Sequence, residues 1–215
     1  MKIKNILGMF LWTCIVITSD IRANAGLLKA VKANNEDKVR SLLNESYIDI
    51  NIKDEYGNTP LIRAATNNNP KIVQMLLGNG ADPDVPDRNG WTPLIWAVKH
   101  KNQEIVQMLL DKGVNLNIRD EYGCTPLITS VMNNNQEIVQ MLLDKGANLD
   151  IRDNYGYTPL IWAVKKNNSV IVQMLLDAGA NINIRDAYGV TPLYWARRYN
   201  NQKIVQLLLD KGANK

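Results

Sequence analysis

The chain of 215 residues is 46% hydrophobic and 21% charged, enough apolar material for one or two cored domains and too much for a disordered chain. Its formal net charge of +4 falls short of the polybasic composition that by itself argues for nucleic acid. Two cysteines, Cys14 and Cys124, and one histidine, His100, exclude a disulfide scaffold and a zinc site built from several Cys and His.

The first 25 residues differ from the rest. Lys2 and Lys4 precede an apolar run over residues 6–17, and Ala23-Asn24-Ala25 supplies a small-x-small pattern. This layout predicts a signal peptide over 1–25, cleaved after Ala25. The run is shorter than the roughly 17–25 residues a membrane-spanning helix needs, so no stable membrane insertion is expected after cleavage. Cleavage removes Lys2, Lys4, Asp20 and Arg22, leaving 22 basic and 20 acidic residues and a net charge of +2. It also leaves Cys124 as the one cysteine, with no partner in the chain. The chain is expected to be exported, to the periplasm or outside the cell. Its many Asn, Ile and Lys residues suit an AT-rich genome, such as that of an intracellular bacterium.

Beyond residue 25 one motif recurs. Thr-Pro-Leu begins at Thr59, Thr92, Thr125, Thr158 and Thr191, always 33 residues apart. Asp54, Asp87, Asp120, Asp153 and Asp186 keep the same period, as do Gly80, Gly113, Gly146, Gly179 and Gly212. A fixed period of this size means stacked supersecondary units. In the unit 87–119, Asp87-Arg88-Asn89-Gly90 reads as a tight turn. Thr92 is an N-cap and Pro93 the first residue of a short helix over 93–101. Asn102 caps a second helix over 103–112, with an apolar stripe of Ile105, Val106, Leu109 and Leu110. Gly113 ends it as a left-handed residue, and 115–119 is expected to run extended into the next turn.

The pattern Asp-x-x-Gly-x-Thr-Pro-Leu, in five copies in register, resembles the ankyrin repeat family over residues 26–215. The resemblance implies an all-α repeat solenoid of stacked helix-turn-helix units with β-turn or hairpin fingers. The units are a capping repeat over 26–53, repeats at 54–86, 87–119, 120–152 and 153–185, and a terminal repeat at 186–215. In the capping repeat, Leu27, Leu28, Val31, Val39, Leu42 and Leu43 form the expected inner face. In the family the residue after Thr-Pro-Leu is a histidine that bridges neighbouring repeats. Here it is Ile62, Ile95, Ile128, Ile161 or Tyr194, so apolar packing is expected to replace that bridge. The family's Gly-His pair between the helices is replaced by Asn pairs such as Asn68-Asn69 and Asn134-Asn135, and Asn tolerates a left-handed turn.

The resemblance further implies a concave surface made by the finger tips and first helices. Carried over by position, the candidate partner-binding residues are Trp91, Trp96, Lys99, Arg119, Tyr122, Arg152, Tyr155, Tyr157, Trp162, Lys165, Lys166, Arg185, Tyr188, Trp195 and Arg198. Trp, Tyr and Arg are the usual hot-spot residues of interfaces. The expected partner is a protein with an acidic or mixed surface. Packing competes with this reading: the Trp residues could stack between repeats, and the finger Tyr could brace the next finger. Partner contact is favoured for Tyr157, Lys165 and Lys166. Two other readings use the same features. A self-associating structural scaffold would stack through its final repeat. A single-stranded nucleic-acid binder would use the Trp and Lys, but export and a net charge of +2 argue against nucleic acid. No phosphate loop, metal spacing or cofactor motif is present, so neither catalysis nor a cofactor is expected.

Overall fold

The computed structural model describes residues 24–45 and 47–214. The apolar run at 6–17 and Cys14 lie outside them, and so does the signal peptide except for residues 24 and 25, which are helical and continue into α1, 24–32. The second helix of the capping repeat is α2, Glu36–Leu43. Five helix pairs follow: α3 and α4 (Pro60–Thr66, Pro70–Gly78), α5 and α6 (Pro93–Lys99, Gln103–Asp111), α7 and α8 (Pro126–Met132, Gln136–Asp144), α9 and α10 (Pro159–Lys165, Ser169–Asp177), and α11 and α12 (Pro192–Arg198, Gln202–Asp210). No strand occurs among the described residues.

Each unit starts by capping itself. Thr59, Thr92, Thr125, Thr158 and Thr191 are N-caps whose side chains accept the amide three residues on. Proline follows each, where a missing N–H leaves nothing unsatisfied. Asn69, Asn102, Asn135, Asn168 and Asn201 cap the second helices the same way. Between the helices sits one left-handed residue: Asn68, Lys101, Asn134, Asn167 or Asn200. That residue explains why α5 stops at Lys99 rather than running through 101. Lys101 stands at φ 57°, which no right-handed helix continues. The segment expected to be extended at 115–119 is also broken. The Asn115 side chain accepts the Asn117 amide at 3.0 Å and folds the chain into a short turn.

Helices of seven to nine residues do not persist alone in water. They persist here because they stack in two layers. First helices pack on first helices (α3 on α5, α5 on α7, α7 on α9, α9 on α11), and second helices on second helices from α2 to α12. One continuous core runs from Leu27 to Ala213. Leu27, Val31, Val39 and Leu42 of the capping repeat are buried in it, while Leu28 and Leu43 are half-buried. Ile62, Ile95, Ile128 and Ile161 are fully buried, so apolar packing does occupy the bridge position. Tyr194, at the same position in the repeat 186–215, is half exposed.

Candidate functional site

Each finger is organised by its aspartate. The amides of Tyr155 and Tyr157 donate to Oδ1 of Asp153 at 2.9 and 2.8 Å, and the Gly156 amide closes the turn onto the Asp153 carbonyl. The same pair of amide bonds recurs at Asp54, Asp87, Asp120 and Asp186. The second carboxylate oxygen looks to the first helix. Oδ2 of Asp87, Asp153 and Asp186 accepts the indole N–H of Trp96, Trp162 and Trp195 at 3.1, 2.8 and 2.8 Å. In the first full repeat Arg63 donates to Oδ2 of Asp54 in the same way. These tryptophans thus bolt three of the fingers to their own helices, a role absent from the two readings made from sequence.

Neighbouring fingers are also joined. The amides of Arg88, Glu121, Asn154 and Ala187 donate to the carbonyls of Tyr56, Asn89, Tyr122 and Tyr155 in the preceding finger. Below them runs an amide ladder: Asn102 donates to Asn68, Asn168 to Asn134 and Asn201 to Asn167. Polar linkage between repeats therefore persists without the bridging histidine, carried by asparagines one step lower.

The candidate residues fall into three groups. Tyr122, Tyr155 and Tyr188 are exposed finger-tip rings, more than half accessible, and so is Tyr56 in the first finger, with Asn89 at the position between. Tyr155 stacks on Tyr157 of its own finger while staying exposed. Arg152, Lys166 and Arg198 are exposed cations, and so are Arg119 and Arg185, which clasp their own fingers through the carbonyls of Gly123 and Gly189.

The third group is aromatic and cationic. Lys99 Nζ lies 3.9 Å from the Trp91 ring centroid and 5.1 Å from that of Trp96, which stacks on His100. Lys165 Nζ lies 4.1 Å from Trp195 and 4.5 Å from Tyr157, and donates to the Tyr199 hydroxyl at 3.3 Å. Tyr157 meets Trp162 and Trp195 edge-on. Trp91, Trp96, Tyr157, Trp162 and Trp195 are half-buried, so both edges of this row are partly spent on internal contacts.

Charge follows the same geometry. Burial pushes the Asp54 carboxyl up, but the Arg63 hydrogen bond, with the amides of Asn58 and Tyr56, outweighs it and holds the carboxyl below its usual range. At Asp120, burial wins over the Cys124 and Tyr122 amides, and its carboxyl is raised. Burial, with Asp120 and Asp153 nearby, pushes the Cys124 thiol up to about 12, so it is held as an inert thiol near neutral pH. Among the described residues no group of three or more His, Cys, Asp or Glu is placed to hold a metal ion, and no helix is long and apolar enough to cross a membrane.

A family model described as ankyrin repeats (3 copies) matches residues 15–87, 64–153, 112–186 and 146–215. Among solved structures, the ankyrin repeat domain of Bcl-3, a member of the IkappaB protein family, is 33% identical with a TM-score of 0.82, covering 88% of this chain and 86% of that one. An ankyrin repeat domain from Acinetobacter baumannii AYE is 32% identical with a TM-score of 0.82, covering 87% of this chain and 98% of that one. A search of curated protein sequences finds no match.

Proposed function

The chain belongs to the ankyrin repeat family, whose repeats generally mediate protein–protein interaction, and on that premise we propose that it is a non-catalytic scaffold gripping a protein segment along its fingers and first helices. The observation that carries this reading is the row of finger-tip tyrosines. Tyr56, Tyr122, Tyr155 and Tyr188 repeat in register, and each is more than half exposed. Large amphipathic rings that keep more than half of their surface exposed suit an interface core, even with Tyr155 stacked on Tyr157 and Arg63 over Tyr56. Arg119, Arg152 and Arg185 precede the finger aspartates, and Lys166 and Arg198 stand exposed at the ends of α9 and α11, which suits a segment of acidic or mixed charge.

The basic start, apolar run and Ala23-Asn24-Ala25 support export through a cleaved signal peptide, which would place the scaffold in the periplasm or outside the cell, facing host proteins. The test is capture of a partner by the wild-type chain, followed by affinity measurement with Tyr122→Ala, Tyr155→Ala and Tyr188→Ala combined. Removing exposed rings leaves stability within about 0.5 kcal/mol per site. Loss of three interface anchors weakens binding at least roughly 30-fold.

A further inference from the structure

The third full repeat, 120–152, breaks the pattern of its neighbours on the partner-facing side. Thr129 stands where Arg63, Trp96, Trp162 and Trp195 stand elsewhere. Met132 replaces Lys99 and Lys165, and Cys124 replaces Trp91 and Tyr157. Each replacement is smaller or loses its charge. The outcome is a cavity of about 480 Å³, lined by Asp120, Cys124, Thr129 and Met132 with Trp91 from the preceding repeat and Trp162 from the following one. A cavity of about 150 Å³ is known to hold a benzene ring, so this volume has room for a bicyclic one.

The lining also carries an unused acceptor, Oδ2 of Asp120. Oδ1 of Asp120 accepts the Tyr122 and Cys124 amides as in every finger. No side chain among the described residues donates to its Oδ2, although the corresponding oxygen of each other finger accepts an indole or guanidinium N–H. Asp87, Asp153 and Asp186 are buried beneath those donors, whereas Asp120 is half-buried. The raised carboxyl of Asp120 fits a group that has lost water and gained no side-chain donor.

We infer that this cavity receives a tryptophan side chain of the bound protein segment, whose indole takes the place Thr129 leaves vacant and donates its N–H to Oδ2 of Asp120. The chain itself supplies the template, since three of the four filled positions use an indole against the same oxygen. A guanidinium is the rival occupant, since Arg63 serves Asp54 in this way and Glu121 and Asp153 line the cavity together with Lys99, so it forms one arm of the test. This inference rests on the interface reading above, yet it is separable from it.

The probe is indole, titrated into the full chain and followed through the amide NMR signals of Cys124 and Thr129. Saturable binding is expected, with a Kd on the order of 1 mM for so small a ligand. 1-Methylindole, which lacks the donor, should bind at least roughly 10-fold more weakly. Thr129→Trp should abolish indole binding by filling the site from within. The inference is overturned if indole does not saturate, if the two indoles bind equally, or if methylguanidinium competes better than indole. Because the ligand pair differs by a single N–H, the comparison stands even where Thr129→Trp fails to fold. If indole binds but partner affinity ignores the tyrosine variants, the cavity stands and the interface reading falls. If indole fails and the tyrosine variants lose the partner, the reverse holds.

Discussion

Trp162→Phe is expected to lower unfolding free energy by about 2 kcal/mol, and Trp162→Ala by about 4, measured by urea unfolding. The first number isolates the hydrogen bond. Phe keeps most of the ring but cannot donate to Oδ2 of Asp153, a carboxylate only 5% exposed. A bond to a charged group is worth about 1.5–3 kcal/mol, and a buried acceptor left without its donor bears the full loss. The second number adds lost packing against Tyr157 and stays at the middle of the about 3–5 kcal/mol range because Trp162 is half-buried. Trp162→Arg should recover part of the loss, since Arg63 serves Asp54 from the same position. A Phe variant as stable as wild type would remove the indole bond from the account of the finger.

Gly156→Ala is expected to cost more than 3 kcal/mol, while Gly189→Ala costs about 1. Both glycines hold the same turn position at nearly the same positive φ, 77° and 76°. A side chain in that region costs roughly 1–2 kcal/mol wherever it occurs. The difference lies in what stands beside them. A Cβ on Gly156 falls onto the Ala187 amide nitrogen and within 2.9 Å of the Asp186 carbonyl carbon, both backbone atoms of the next finger. A Cβ on Gly189 meets nothing within 4 Å. Relief at Gly156 therefore requires the fingers to separate, breaking the bond from the Ala187 amide to the Tyr155 carbonyl. Equal melting temperatures for the two variants would show that the fingers do not pack as a rigid row.

The contrast between these two sites marks what the sequence made legible. Turn, cap and helix chemistry is local, so Asp153, Gly156, Thr158 and Asn168 announce their roles within a few residues. The repeat period then fixes which faces meet. The bond from Trp162 to Asp153 crosses a turn and a helix, and nine residues separate its partners. A signal for it was present: Arg63 shares the position of the tryptophans, and the two residue types have a side-chain N–H in common. The asparagine ladder joins residues 34 apart, so it emerges only once the repeats are stacked. Thr129 stands in register with the tryptophans, so its smaller side chain is visible in the sequence, but it gains meaning only with the position of the oxygen it leaves without a donor.

The finger rings give the most direct measurement. The affinity of a captured partner should be compared for three proteins: wild type, the triple alanine variant at Tyr122, Tyr155 and Tyr188, and a control with alanine at Gln107, Gln140 and Gln173. Those glutamines lie on the second helices and bond only to aspartates of their own helix turn. The account predicts a loss of at least roughly 30-fold for the tyrosine variant and wild-type affinity for the glutamine control. Wild-type affinity in the tyrosine variant, with loss in the glutamine control, would place the partner on the second-helix layer and contradict it.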